Sequence, residues 1–316
     1  LGPEKSASFT SPEGDKQMGK LVRGISENGS AVCWALDSTD MVSVLEQYHQ
    51  PSAVVTAAAG RLLTAASIMG SMLKGEKGSV TLRITADGPA GSVIAVADAG
   101  GNAKAYAANP IVELPLNPQG KLDVSGAVGK NGNLFVVKDL GMGEPYVGLV
   151  PLVSGEIAED ITQYFHDSEQ VPTACALGVL VNPDLTVKAA GGWILQLLPG
   201  AGEEDIRQAE QNVSFLPSVT QMLTSGLTPE EIAGQVLAGM DPHILDTRMV
   251  EYRCGCSRER MAAALRSLDA RELQAMAEED GKAELCCHFC PSRYTFPKEE
   301  LLGMIAEKTL DTREDL

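Results

Sequence analysis

The stretch that decides the organisation of this chain begins with CGCSRER at residues 254–260 and ends with CCHFC at residues 286–290. It holds five of the seven cysteines in the 316-residue sequence. A Cys-x-Cys pair and a Cys-x-x-Cys pair, thirty residues apart, can place four thiolates around one tetrahedral zinc ion. Gly255 relieves the backbone crowding of the tighter pair. The spacing therefore predicts a zinc site, the alternatives being buried structural cysteines or a disulfide pair in a secreted protein. The four predicted ligands are Cys254, Cys256, Cys287 and Cys290.

Two further residues in this stretch could compete for the metal. Cys286 adjoins Cys287 and is a possible ligand or disulfide partner, but only Cys287 keeps the Cys-x-x-Cys spacing with Cys290. His288 can also bind zinc, yet it lies between two better-placed sulfurs, and four thiolates already close a structural site. We therefore predict that Cys286 is a bystander and that His288 is not a ligand.

Composition limits the classes of protein to consider. Hydrophobic residues make up 44% of the sequence and aromatic residues only 4%, so the core must be largely aliphatic. The net charge of −17 argues against a nucleic-acid partner, because phosphate binding needs clustered Lys and Arg. No Walker sequence is present, so use of ATP is not expected. Cysteines concentrated in a metal-type cluster favour a reducing compartment.

Residues 1–18 are polar and lack periodicity, so we predict a disordered extension, left by a tag or a targeting peptide. Residues 19–199 are predicted to form an α+β core. Its first element is a hairpin over 19–36 around Asn28-Gly29, and helices follow at 38–50 and 52–73. Although 52–73 is long enough to span a membrane, mid-segment Arg61 and its small residues favour a buried central helix and no membrane span.

Short apolar runs joined by Gly and Asn turns, without intervening helices, indicate antiparallel sheets in this core. A further helix is predicted over Ser154–His166, with Ser154 as its N-cap. Cys33, flanked by apolar residues, is expected to be core filler. The predicted strands are 79–86, 91–98, 103–108, 120–126, 133–139, 146–153, 174–181 and 187–198.

Residues 200–250 are predicted to form a helical acidic linker. Between residues 201 and 250 there are eight acidic and two basic residues. Apolar residues recur at helical spacing from Ile206 to Leu216, and Thr228-Pro229-Glu230-Glu231 is a capping box that opens a second helix. Helices this short are stable only through tertiary packing. The linker should therefore loosen if its packing partner is lost.

Residues 251–316 are predicted to form a small four-cysteine zinc module. Ser257 and Asp269 are expected to cap helices, Gly281 to end the second, 291–297 to form a strand or turn, and 298–308 a last helix. So small a module buries little apolar surface of its own. Zinc contributes about 10–16 kcal/mol of apparent binding free energy in small zinc peptides, so the metal should decide whether the module folds.

Together these motifs closely resemble the heat-shock protein 33 family of redox-regulated holdase chaperones. The resemblance rests on CGCSRER at 254–260, EEDG at 278–281 and CHFC at 287–290. Core runs support it over about residues 19–308. These runs are NLFVVKDLGM (133–142), SGEI (154–157), SEQVP (168–172) and AAGGWILQLL (189–198).

The resemblance implies a non-enzymatic, ATP-independent function. The reduced protein would hold one zinc ion through the four cysteines named above and be inactive. Oxidation would form Cys254–Cys256 and Cys287–Cys290 disulfides, release zinc and unfold the linker and the module. The exposed surface would then bind unfolding client proteins, the active form would be able to form a homodimer, and clients would pass to ATP-dependent foldases. The location would be cytoplasmic, with the chloroplast stroma or the mitochondrial matrix as alternatives if residues 1–18 come from a targeting peptide.

Three other functions fit the cysteines less well. A zinc hydrolase or deaminase needs an open coordination position and a general base, usually in a His-x-Glu motif, and no such motif is visible. A zinc-ribbon nucleic-acid binder needs basic surface. A thiol oxidoreductase could use Cys287-His288-Phe289-Cys290, but the metal-type spacing and the missing thioredoxin-type βαβ context count against it.

Overall fold

The computed structural model describes residues 18–314, with side chains described through residue 308. The predicted extension 1–18 lies outside these residues except for Met18, which begins the first strand. The strands are β1 Met18–Ile25, β2 Ala31–Asp37, β3 Ser79–Ala86, β4 Val93–Asp98, β5 Ala103–Ala107, β6 Gly132–Asp139, β7 Tyr146–Pro151, β8 Thr173–Val181, β9 Val187–Leu197, β10 His243–Glu251, β11 Lys282–Cys286 and β12 Arg293–Pro297. The α-helices are α1 Thr39–His49, α2 Ala53–Ser71, α3 Val124–Val128, α4 Ala158–Tyr164, α5 Glu203–Phe215, α6 Val219–Thr224, α7 Pro229–Val236, α8 Arg258–Ser267, α9 Ala270–Ala275 and α10 Lys298–Glu314.

These elements form an α+β fold with antiparallel sheets, as the sequence predicts, and two of the sheets have five strands each. The first sheet has the order β10-β1-β2-β9-β8 and the second the order β5-β4-β3-β6-β7, while β11 and β12 form a separate hairpin. All the strand pairs within them are antiparallel. The predicted first hairpin is confirmed, and Gly29 takes the positive φ (69°) that its turn requires.

Helix α2 is the buried centre of this core, as predicted. It packs against strands of both sheets, and 16 of its 19 residues are buried. Small residues allow this close approach: a Cβ on Gly70 would lie 2.4 Å from the backbone oxygen of Asp98. Arg61 is held by an ion pair with Glu156 (2.6 Å). The helix is long and apolar enough to cross a membrane, but 89% of its apolar window is buried inside the fold.

The outer face of the first sheet is covered by the linker helices. Cys33 and Trp193 of this sheet are in one hydrophobic cluster with Ile232, Val236 and Leu237 of the linker. Cys33 is fully buried, which confirms it as a core residue. Helix α5 is less firmly packed than α7. Among its side chains only that of Ala209 is buried, and Phe215 at its end is 81% exposed.

The linker range 200–250 is not wholly helical, which corrects our expectation for its last part. Strand β10 occupies residues 243–251 and pairs along β1, from Met18↔Glu251 to Ile25↔His243. Its side chains are mostly exposed, so the sequence lacks the apolar alternation that marks a half-buried strand. The chain that enters the C-terminal module is therefore also an edge strand of the core.

Two core predictions are wrong. Residues 120–126 do not form a strand; helix α3 begins at Val124, capped by the Asp123 carboxylate, which accepts from the Gly126 N–H. The helix predicted over Ser154–His166 begins only at Ala158. The Asp160 carboxylate accepts hydrogen bonds from the backbone of residues 153–155 and of Ile157, which fixes a loop there, and Ile157 has a φ of 76°. That helix continues as a π-helical turn to Glu169.

Candidate metal centre

Two segments of the C-terminal module bring the cysteines together. Cys254 and Cys256 lie in the extended chain between β10 and α8, and the Ser257 hydroxyl caps α8 as predicted. Cys287 and Cys290 lie in the turn between β11 and β12, which is closed by the Cys287 N–H donating to the Ser292 carbonyl (3.0 Å). The hairpin therefore presents its two sulfurs to the Cys-x-Cys segment.

The rest of the module forms a small support for this arrangement. Asp269 and Glu272 form the predicted capping box of α9, and Gly281 ends the helical segment with a φ of 67°. Strand β12 lies within the predicted 291–297, but its partner β11 was not predicted. The last helix extends beyond the predicted 298–308, to Glu314. Among the side chains described through residue 308, eight buried residues form the module's hydrophobic core, which is a small core for a module of this length.

The four cysteine sulfurs lie within 4.8 Å of one another. The Sγ atoms of Cys254 and Cys287 are 3.5 Å apart, and those of Cys256 and Cys290 are 3.4 Å apart. In a tetrahedral site with Zn–S bonds of about 2.3 Å, the sulfurs are about 3.8 Å apart. The donor set and its spacing therefore fit zinc, and they leave no open coordination position for hydrolytic chemistry.

Two of the four sulfurs accept hydrogen bonds from groups other than the clustered cysteines. The Tyr294 hydroxyl donates to Cys256 Sγ (3.1 Å), and the Phe289 N–H donates to Cys287 Sγ (3.4 Å). Burial alone would raise the pKa of Cys256, but the hydrogen bonds from Tyr294 and the neighbouring cysteines lower it to about 7. Burial raises the pKa values of Cys254 and Cys290. A cation among the sulfurs would offset that cost, since it stabilises thiolates.

The two competing residues lie away from the cluster. Cys286 is exposed at the end of β11, opposite Arg293, and is not among the four clustered cysteines. The His288 ring stacks on Tyr106 of the core (5.2 Å between ring centres). The assignment of Cys254, Cys256, Cys287 and Cys290 as the ligands stays a prediction.

The same turn also contacts the core. Phe289 packs edge-on against Tyr106, with Lys104 over its ring. The Tyr252 hydroxyl lies 2.6 Å from the Phe289 carbonyl oxygen and 2.9 Å from that of Ala105. These contact residues were not predicted from the sequence. Only the position of Tyr252, two residues before Cys254, could have indicated from the sequence that it lies near the cluster. Nothing in the sequence indicates that Tyr106 contacts the module.

Comparison with known proteins identifies the group to which this architecture belongs. The profile of the family described as Hsp33 protein matches residues 19–297. The 33 kDa chaperonin of Bacillus velezensis is 46% identical over 292 residues, which cover 92% of this chain and all of that protein. The chain belongs to the Hsp33 family. The 33 kDa chaperonin of Clostridioides difficile is 47% identical over 287 residues, covering 91% of this chain and 98% of that protein.

A solved structure supports the family assignment at the level of the fold. The crystal structure of the 33 kDa chaperonin (heat shock protein 33 homolog) of Thermotoga maritima matches with a TM-score of 0.84 and 37% identity. The match covers 92% of this chain and 98% of that one. The resemblance to heat-shock protein 33 is thus confirmed, and the chain is an Hsp33-family chaperone with an α+β fold.

Proposed function

We propose that this Hsp33-family chain is an ATP-independent holdase that is switched on by oxidation of its cysteine cluster. One observation carries the proposal: four sulfurs from two separate segments converge within 4.8 Å, in a module whose described side chains form a core of eight buried residues. Zinc bound by Cys254, Cys256, Cys287 and Cys290 would keep these sulfurs as thiolates and would tie the two segments together. The module would then stay folded, and the linker would stay packed on the core.

Oxidation of the cysteines would remove this metal link between the two segments. Formation of each disulfide takes two electrons from two thiolates, and one molecule of hydrogen peroxide accepts them together with two protons from the solvent to become two molecules of water. Bonds within the pairs Cys254–Cys256 and Cys287–Cys290 leave no thiolate ligands and no covalent link between the two segments. They also close very short loops, which constrain an unfolded chain less than long loops do. The module should therefore unfold.

Loss of the module would loosen the linker through β10, because this strand runs directly into Tyr252 and the cysteine cluster. The linker helices are short and depend on packing against the first sheet. Their release would uncover apolar surface on both sides, including Trp193 of the sheet and Ile232 and Leu237 of the linker. Such surface can bind the apolar segments that unfolding proteins expose.

The family resemblance supports three further parts of the proposal. The active form would be able to dimerise, and clients would pass to ATP-dependent foldases after reduction. The relatives named above are bacterial proteins, which supports a cytoplasmic location. The net charge of −17 argues against nucleic acid as a partner, because phosphate binding needs clustered basic residues.

Disulfide mapping tests which cysteines pair when the metal link is lost. After treatment with hydrogen peroxide, we expect zinc release, suppression of aggregation of a thermally unfolding reporter protein, and peptides linked as Cys254–Cys256 and Cys287–Cys290. The Cys286→Ser variant should behave in the same way. Sulfurs of different segments are also close, at 3.5 Å for Cys254–Cys287 and 3.4 Å for Cys256–Cys290. If these pairs formed, they would hold the two segments together, and active protein carrying them would contradict the proposal.

A further inference from the structure

The edge of strand β5 is covered by the segment that leads into the cysteine cluster. β5 is the last strand of the second sheet, and its other edge pairs with β4. The Arg253 N–H donates to the Ala103 carbonyl (2.9 Å). The Tyr252 hydroxyl lies 2.9 Å from the Ala105 carbonyl oxygen and 3.4 Å from its nitrogen. Two residues of the module thus occupy the positions of a neighbouring strand.

This cover of the β5 edge, formed by Tyr252 and Arg253, depends on the cysteine cluster. Tyr252 and Arg253 immediately precede Cys254. The Tyr252 hydroxyl also contacts the carbonyl oxygen of Phe289, which lies between Cys287 and Cys290. Both sides of the cluster are therefore needed to hold the cover in place. Unfolding of the module would release the cover and leave backbone groups of β5 unpaired.

Aromatic side chains line the same edge. Tyr48 packs edge-on against Tyr252 (5.5 Å between ring centres), and Tyr106 packs edge-on against Phe289 (5.0 Å). The Lys104 ammonium lies 4.5 Å from the centre of the Phe289 ring. Departure of the module would expose Tyr48, Tyr106 and Lys104 beside the free edge. The site so formed combines backbone pairing groups with a place for an aromatic side chain.

We propose that the β5 edge is a client-binding site, at which an extended apolar segment of an unfolding protein pairs with Ala103–Ala107 in place of Tyr252, Arg253 and Phe289. The inference rests on the proposed function, since the edge is free only after the module unfolds. An unfolding protein is the occupant because it supplies both unpaired backbone and exposed aromatic residues. Strand addition to a free sheet edge is an established mode of peptide recognition.

Hydrogen exchange of the oxidised full-length chain tests this site, with reduced, carboxymethylated ribonuclease A as the unfolded probe. The outward-facing amides of β5, at Ala105 and Ala107 by strand alternation, should exchange at least about fivefold more slowly when the probe is bound, because they gain strand partners. Unchanged exchange with the probe bound would overturn the site while leaving the proposed function intact. A chain that neither binds the probe nor suppresses aggregation would contradict the proposed function itself. Slower exchange that needs no probe and grows with protein concentration would assign the edge to a second copy, and would also overturn the inference.

The affinities of two proline variants for the probe test the site independently. Proline is tolerated at the outward side of an edge strand but cannot donate to a new partner. Ala105→Pro should weaken binding of the probe by the oxidised chain about tenfold, since one or two hydrogen bonds are lost. Val147→Pro, which faces outward by alternation on the opposite edge strand β7, should leave affinity unchanged. Equal affinities for the two variants would contradict the proposal.

Discussion

The Cys287→Ser variant should bind no zinc, and its C-terminal module should be unfolded even under reducing conditions. Serine cannot supply the thiolate that the site requires, and the remaining core of eight buried residues is too small to hold the module. Structural zinc contributes about 10–16 kcal/mol in small zinc peptides, far more than this core can replace. Zinc stoichiometry measured together with amide exchange of residues 258–297 would show both effects.

Cys286→Ser is the matched control for this prediction, because it makes the same chemical change one residue away at an exposed side chain. It should retain one zinc ion per chain and the exchange pattern of the unaltered protein. Loss of zinc in Cys286→Ser but not in Cys287→Ser would show that the ligand assignment is wrong by one residue.

The Leu237→Ala variant should be partly active as a chaperone while still reduced and zinc-bound. Leu237 is fully buried where the linker packs on the first sheet. Truncation of a buried leucine to alanine typically costs about 2–5 kcal/mol. That cost falls on the contact between linker and core, so the equilibrium constant for linker opening should rise about thirtyfold or more. Exchange of the α7 amides and suppression of aggregation by the reduced protein measure the two consequences.

Phe215→Ala provides the control for Leu237→Ala, since it removes a larger apolar side chain from the same linker at a position that is 81% exposed. It should change neither linker exchange nor the activity of the reduced protein. If Leu237→Ala accelerated exchange of α7 without any gain in activity, release of the linker would not be what activates this chaperone.

The features that could be predicted from sequence are those fixed by local chemistry. The Cys-x-Cys and Cys-x-x-Cys pairs, the Asn28-Gly29 turn and the Thr228 and Asp269 capping boxes each need only a few neighbouring residues. The buried central position of α2 could also be predicted, because a helix rich in small residues can pack closely against its neighbours.

The features that were missed are of two kinds: the loop before α4 is fixed by a nearby side chain, and the others are fixed by residues distant in the chain. The Asp160 carboxylate replaces Ser154 as the organiser of its loop by binding backbone groups that precede the helix. Strand β10 is fixed by pairing with β1, more than two hundred residues earlier, and not by its own side chains. The contact of Phe289 with Tyr106 has the same origin. The position of the module on the core could therefore not be inferred from the motif that predicts its zinc site.

In the proposed switch, oxidation of the cysteine cluster releases the linker from the core. Amide exchange of α6, α7 and β10, measured before and after hydrogen peroxide on the same full-length chain, tests it most directly. We predict that these amides lose protection as zinc is released, while those of β2 and β9 in the core keep theirs. Release of zinc and gain of activity with unchanged protection in α6, α7 and β10 would contradict the claim.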